Sequence, residues 1–213
     1  MAVNFSVKWK SGPFIKARTR IMIRKEIKTK RLILRGIKVG DYKVWFDAYT
    51  KRKPVQSKWD SGPVAESKCT KAIFNKVRRE HDQLTKKDDY YRYYIFEKKS
   101  GAIVGQIDFD VFVRSTHQFA NFGYQVYNPY WRNGYGEEAS NAGLKIGFKH
   151  LKLNRLEAAI NLDNKKSIRL AKNIGMKREG IKKRYWYEHG KWTDHLIYVA
   201  NPEDIGLKPT KPI

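Results

Sequence analysis

Trp131-Arg132-Asn133-Gly134-Tyr135-Gly136-Glu137-Glu138-Ala139 sets two closely spaced glycines between a strand-like run and a long helical pattern. A helix that starts here leaves its first N–H groups without carbonyl partners, and the helix dipole places partial positive charge at the same end. Such a loop is an anion site, suited above all to phosphate. Glu137 and Glu138 fall in the first helical turn, where negative charge complements the dipole. The loop is not a P-loop, because no Gly-Lys-Ser/Thr follows at the required spacing, and it is not G-x-G-x-x-G within a βαβ unit. Read alone, the two glycines equally describe a tight turn.

The surrounding chain has 213 residues, 41% hydrophobic and 14% aromatic, enough for one domain with a substantial core. No apolar run approaches the roughly 20 residues needed to span a membrane, and the first ten residues do not have the form of a secretory signal. The reading is of a soluble, cytoplasmic protein without a membrane partner. Cys69 is the only cysteine, which excludes an intrachain disulfide and a cysteine metal cluster, and no metal constellation is visible. Lys+Arg 45 against Asp+Glu 21 gives a net charge of +24. Solubility needs only about 2–8 charges on a small domain, so the excess points to a polyanion, RNA foremost. Residues 1–35 carry eleven basic residues against the single acid Glu26, and a second basic belt runs from Lys165 to Arg184.

Periodicity predicts the following order: a basic extension over 1–30 with strand-like pieces at 5–9 and 20–23, a strand over 31–37, and a helix capped by Asp41 that carries Trp45 and Ala48. A second amphipathic helix follows over 65–84, with Cys69, Ile73, Phe74 and Val77 facing inward. Strands at 90–96, 102–113 and 119–127 are joined by turns at 99–101 and 115–118. After the glycine loop come a helix over 135–152, a strand over 155–162, a helix over 164–174 stopped by Gly175, and a hairpin over 181–200 turning at His189-Gly190. This is an α/β (α+β) arrangement on a mixed sheet. An antiparallel meander precedes the glycine loop, which excludes a doubly wound fold.

Context gives the loop its meaning. The strand Asn121-Phe-Gly-Tyr-Gln-Val126 leads into it. Asn164-Lys-Lys-Ser167 opens a helix just past the next strand, and Met176-Lys-Arg-Glu-Gly180 and Gly190-Lys-Trp-Thr-Asp-His195 follow. With Thr29-Lys-Arg-Leu-Ile-Leu-Arg35 and Ile103-Val-Gly-Gln-Ile-Asp-Phe109, this series resembles the GNAT superfamily of acyl-CoA-dependent N-acyltransferases. Within it, the chain looks most like the ribosomal-protein-alanine N-acetyltransferases. The resemblance runs over residues 29–200. It implies a mostly antiparallel sheet, flanked by helices, in which two adjacent parallel strands part in a V and receive the pantetheine arm. It also implies an N-acetyltransferase domain over 31–200, behind the extension 1–30 and ahead of a C-terminal tail over 201–213.

By that resemblance Trp131 is one of the cofactor-binding residues, and the amides of Arg132, Asn133, Gly134, Tyr135 and Gly136 hold the CoA pyrophosphate. The backbone of Tyr124, Gln125 and Val126 pairs with the pantetheine. Asn164 reads either as a helix N-cap or as a hydrogen-bond partner of the cofactor arm. Ser167 reads as proton donor to the departing thiolate. The base is open. Relatives often carry Glu just before the Gly-Tyr of the meander strand, where this chain has Asn121. The candidates are Glu188, Asp108 and Asp110. Asp194 is taken as structural, His117 as an exposed turn residue, and Cys69 as mid-helix without a role. Trp59, Tyr90, Tyr91, Tyr185, Trp186 and Tyr187 are candidates to line a peptide slot. The implied activity is acetyl transfer from acetyl-CoA, without a metal, to a primary amine. The N-terminal α-amine of a ribosomal protein leads, with the basic surface against RNA or the ribosome and the protein a monomer or dimer. Acetylation of aminoacyl-tRNA, and a non-catalytic RNA- or ribosome-binding assembly factor that retains a CoA site, stand as alternatives.

Overall fold

The computed structural model describes residues 26–211; the strand-like pieces expected before residue 26 lie outside the described residues. Eight strands form one sheet: β1 (Ile27–Lys28), β2 (Leu32–Arg35), β3 (Tyr90–Glu97), β4 (Ile103–Val113), β5 (Phe119–Val126), β6 (Arg155–Asn161), β7 (Lys177–Glu188) and β8 (Lys191–Ala200). Their order is β1-β2-β3-β4-β5-β6-β8-β7. Every neighbouring pair is antiparallel except β5 and β6.

That parallel pair decides the architecture. It has three register pairs, Phe119↔Arg155, Ala120↔Leu156 and Asn121↔Glu157, and no more. Both strands continue, β5 to Val126 and β6 to Asn161, so they part beyond Asn121. The anticipated V-shaped split is the geometry observed.

Helices cover both faces. α1 (Tyr42–Thr50) and α2 (Lys71–Lys86) lie on one. They bury Trp45, Ala48 and Phe74 against Tyr94, Phe96 and Tyr127. α3 (Tyr135–Lys145) and α4 (Lys165–Asn173) lie on the other. There Ala139, Ala142, Leu144 and Ala171 pack on Ile107, Phe109, Phe122, Leu156, Ala158 and Tyr198. The end of α3 loosens into a π turn over Ile146–His150. The segment after β8 also joins this side: Leu207 packs on the core, and the Thr210 N–H donates to Asn154 Oδ1.

Local chemistry explains two departures from expectation. The second helix begins later, because Thr70 accepts from the Ile73 N–H and caps it. Cys69 therefore sits buried ahead of the helix, not within it, and Ile73 is 37% exposed. Asp41 does not cap α1. Its carboxylate receives the Lys38 N–H and the Arg35 guanidinium instead.

β4 and β5 approach so closely at Gly105 that an added Cβ would lie 2.2 Å from the Gln125 carbonyl oxygen. A backbone atom held in a ladder cannot swing aside as a flexible side chain can. Gly105→Ala is expected to destabilise the fold by at least about 2 kcal/mol, measured by urea denaturation, whereas Gly101→Ala meets nothing within 4 Å. Equal stability of the Gly105→Ala protein would contradict the ladder geometry.

Candidate active site

The split is bounded on its CoA-side wall by β5, α3 and α4. Main-chain groups alternate sides along a strand. The Tyr127 N–H donates to Val104 of β4, and Gln125 presents its carbonyl to Gly105 of the same strand. At the other end, the Gln118 carbonyl accepts from Asn154 and Arg155, on the β6 side. The even-numbered residues therefore face the gap. Tyr124 and Val126 turn main-chain groups toward it, and Gln125, which also lines the cavity described below, turns its main chain toward β4. The Val126 carbonyl is taken by the Trp131 indole Nε1–H at 2.7 Å, and Lys166 stacks on the Trp131 ring at 4.3 Å.

The glycine loop opens α3 as anticipated. Gly134 is its N-cap in the left-handed region at φ +73°, a conformation glycine adopts without penalty. The first helical bond is taken by the Glu138 N–H from the Gly134 carbonyl. The amides of Tyr135, Gly136 and Glu137 precede it and have no carbonyl within the helix. Arg31, from the turn before β2, braces the loop. It donates to the Asn133 carbonyl at 2.8 Å, pairs with Glu138 at 2.6 Å, and lies over the Tyr135 ring. Burial raises the Glu138 carboxyl, but hydrogen bonds from Thr29 and Arg31 outweigh it and hold the carboxyl below its usual value. Tyr135 turns its hydroxyl to Glu97 and contributes only its amide to the cradle. Sequence reasoning missed Arg31 because its loop partners lie 102 and 107 residues away.

Between these walls lies a narrow cavity lined by Tyr124, Val126, Gly136, Ala139, Ser140 and Leu170. Ser140 is fully buried, and its Oγ has no hydrogen-bond partner. A buried hydroxyl left unpaired costs about 1–3 kcal/mol, and an amide-bearing arm laid along β5 would satisfy it. The residues present thus fit acetyl-CoA: amides and Arg31 for the pyrophosphate, and Tyr124, Val126 and Ser140 for the arm.

Ser167 on α4 reaches Tyr124, one of the residues that line this cavity. Asn164 caps α4 by accepting the Ser167 N–H at 3.2 Å, so its capping role is the one the structure shows. The Ser167 Oγ–H donates to the Tyr124 hydroxyl at 3.0 Å, and the Tyr124 O–H reaches the Ser167 carbonyl at 3.2 Å. Burial pushes the Tyr124 phenol up to about 12, so it is protonated at neutral pH. The Tyr124 side chain was absent from the sequence reading; the Gly-Tyr pair inside a strand was its only signal.

The opposite face of the sheet carries the carboxylates. Asp110, Asn121 and Glu157 form one row across β4, β5 and β6, at the last pairing before the strands part. Asp108 lies one row further along, beside Gly123. Its carboxylate accepts from Tyr90, from two Arg92 nitrogens and from Gln106. Glu157 is held by Lys182 at 2.5 Å and Arg155 at 3.2 Å. Asp110 differs. Burial, with the charge of Asp108, lifts its carboxyl to about 6, against a lowering hydrogen bond from Asn121. Glu188 accepts from Asn161 and Thr193 and stands 3.6 Å from His195. Burial lowers the His195 imidazole, although Glu188 opposes this.

Tyr90, Tyr185 and Trp186 share this carboxylate face, the last two with rings against His195. Trp59 lies in the loop above it, beside Lys58, whose ammonium bridges the mouth of the split to Asp163. Tyr91 and Tyr187 leave the expected slot. Tyr91 is in the core on the α3 side, and Tyr187 pairs with Trp192 on the far side of β8 from His195. Asp194 binds the Arg184 N–H and Lys183, a structural role as expected. His117 is in an exposed turn against Thr116.

A sheet parted at one parallel pair, with an amide cradle at the head of the gap and carboxylates behind it, is the framework of an acyl-CoA-dependent transferase. Comparison with known proteins agrees. Residues 31–177 match the acetyltransferase (GNAT) domain family. The N-acetyltransferase YnaD of Bacillus subtilis is 30% identical over 180 residues, covering 84% of this chain and 98% of its own. The [ribosomal protein uS5]-alanine N-acetyltransferase of Escherichia coli is 24% identical over 83% of this chain and 90% of its own. The structure of Mycobacterium smegmatis RimJ in complex with CoA-disulfide superposes with a TM-score of 0.68, at 20% identity, over 83% of this chain and 85% of that one. The chain belongs to the GNAT acetyltransferases, and the protein is an N-acetyltransferase enzyme.

Ser140→Ala is expected to weaken CoA binding about 3- to 10-fold, the worth of one hydrogen bond. The melting temperature of the free protein should hold or rise, because an unpaired buried hydroxyl is removed. Calorimetric titration with CoA, paired with a thermal melt, separates the two effects. Unchanged CoA affinity would remove Ser140 from the site.

Proposed function

We propose that this enzyme transfers an acetyl group from acetyl-CoA to the N-terminal α-amine of a protein, foremost a ribosomal protein. Transfer is direct, in a ternary complex. The observation that carries the proposal is the Asp110 carboxyl, held near 6 in the row where β5 and β6 part. An N-terminal amine has a pKa near 7.7–8.0, so part of it is neutral at physiological pH. A base with a pKa somewhat below working pH then completes deprotonation as attack proceeds. Asp108 is less suited, because four donors already occupy its carboxylate oxygens.

When bound, acetyl-CoA supplies the activated thioester carbonyl. The amine nitrogen bonds to the acetyl carbon as the carbon–sulfur bond breaks. Asp110, through a water, takes the proton the amine sheds. The Ser167 hydroxyl, held by Tyr124, relays a proton to the departing sulfur and takes up one from solvent in the same step, which balances the proton bound at Asp110. Glu188, set by Asn161 and Thr193, holds the first residue of the acceptor on the β6 side, with Tyr185, Trp186 and Trp59 beside it. The catalytic unit spans 31–200, and the basic surface keeps the enzyme on RNA-rich particles in the cytoplasm.

Support for the acceptor comes from the Escherichia coli relative, which modifies the alanine of ribosomal protein uS5, and from the net +24. The charge equally favours an aminoacyl-tRNA acceptor. Incubation with acetyl-CoA and either unmodified ribosomal proteins or charged tRNA, read by mass spectrometry, distinguishes them. Acetyl on a ribosomal N-terminus is the expected result; acetyl on the aminoacyl group alone would transfer the proposal to tRNA.

Asp110→Asn should lower kcat/KM about 100-fold or more and abolish the acidic limb near pH 6 of the pH profile, whereas Glu188→Gln should raise KM more than it lowers kcat. Stability should move the other way. A carboxyl whose folded pKa is raised from 3.8 to about 6 binds protons more tightly folded than unfolded, so it costs stability progressively as pH climbs from 4 to 6. Asp110→Asn is therefore expected to be more stable above pH 6, by on the order of 1–3 kcal/mol, and to lose that advantage below pH 4. An unchanged pH profile would remove Asp110 as the base.

A further inference from the structure

We propose that the outer face of the β7–β8 hairpin, together with α4, binds single-stranded RNA. Tyr187 and Trp192 are 63% and 53% exposed, and they face each other as a direct cross-strand pair. Their ring centroids are 5.5 Å apart. Scattered single exposed hydrophobics are ordinary; two large rings held together in solvent are not. Alternation along β8 places Trp192 on the face of Leu196 and Tyr198, the α4 side, away from His195 and the acceptor pocket. The pair therefore belongs to no part of the acetyl-transfer site.

The helix on the same side of the sheet is cationic. Lys165, Arg169 and Lys172 recur at i, i+4 and i+7 along α4, all exposed and none in an ion pair among the described residues. Like charges at this spacing destabilise a helix by a few tenths of a kcal/mol each, and no carboxylate of α4 offsets them. Among the described residues, Arg178 and Arg184 of the hairpin are likewise exposed and in no ion pair, whereas Lys191 alternates onto the His195 face. The nearby acids are already engaged: Asp163 by Lys58, Glu179 by Arg155, and Asp194 by Lys183. What remains is a positive helix and two aromatic faces on one side of the sheet.

That combination is how sequence-tolerant single-strand binders work, with cations following phosphates and rings stacking on bases. Other occupants fit less well. A second copy of a chain with net charge +24 would be repelled. Two rings are too little apolar surface to hold a helix-poor edge in a lipid interface. A duplex hides its base faces and leaves the rings without a role.

The test uses the full 213-residue chain. Fluorescence anisotropy follows a labelled single-stranded RNA of about ten nucleotides, within the site sizes of single-strand binders, over a series of salt concentrations. Binding should weaken steeply with salt. The double variant Tyr187→Ala, Trp192→Ala should bind RNA at least about 10-fold more weakly and heparin, which lacks bases, unchanged. The triple variant Lys165→Gln, Arg169→Gln, Lys172→Gln should weaken both and reduce the salt slope by about 2. Thermal melts establish that each variant is folded, and titration with CoA that its cofactor site persists. The proposal is overturned if the protein does not bind RNA, or if the aromatic variant loses RNA and heparin equally. It is also overturned if that variant changes only self-association in sedimentation or only binding to anionic vesicles. None of these outcomes touches the acetyltransferase reading.

Discussion

Three residues of parallel pairing hold β5 to β6, and everything functional follows from their stopping at Asn121 and Glu157. A strand that loses its neighbour leaves N–H and C=O groups that must find other partners. On β5 these belong to Tyr124 and Val126. The protein meets one of them itself, through the Trp131 indole on Val126. The rest form an edge that an amide-bearing ligand can join as a strand joins a sheet. The gap is also why Ser140 can be buried without a partner. α3 packs along β5, where the sheet would otherwise have been closed by β6.

The same parting separates two electrostatic environments. On the α3 side, helix amides and Arg31 gather positive potential at the mouth of the gap. Glu138 serves there as an anchor for Arg31 and Thr29 and not as a counter-charge in the cradle. On the other face, four carboxylates stand behind the apex in a chain that is otherwise strongly basic. Two of them, Asp108 and Glu157, are neutralised by arginines or lysines. Asp110 is desolvated beside the Asp108 charge, and the Asn121 hydrogen bond and the Arg92 charge only partly offset this, so its pKa rises to about 6. Burial and pairing, applied differently to chemically identical groups, thus assign different roles.

Much of this frame is legible without coordinates where the controlling interactions are local. Gly134 must adopt positive φ to open α3, Asn164 caps α4 three residues ahead, and Gly175 ends it at φ +82°. Each of these is decided within one turn. Misreadings fall where a distant partner intervenes. Asp41 has the position of an N-cap but is drawn off by Arg35 on β2. Tyr187 follows Trp186 in regular pairing and so alternates onto the other face, whereas the bulge between Lys182 and Trp186 lets Tyr185 and Trp186 share one.

The class is written in the chain: a glycine loop at a helix start, the order of strands and helices, and a charge that invites polyanions. These depend on backbone preferences and periodicities that neighbouring residues impose on one another. Tertiary packing sets which carboxylate is desolvated, turns the Gln125 main chain away from the gap and brings the Tyr124 phenol to Ser167. Asp108 and Asp110 are the same residue two positions apart. What distinguishes them is the cross-strand register that sets Arg92 opposite one and Asn121 opposite the other, and register is a property of the assembled sheet.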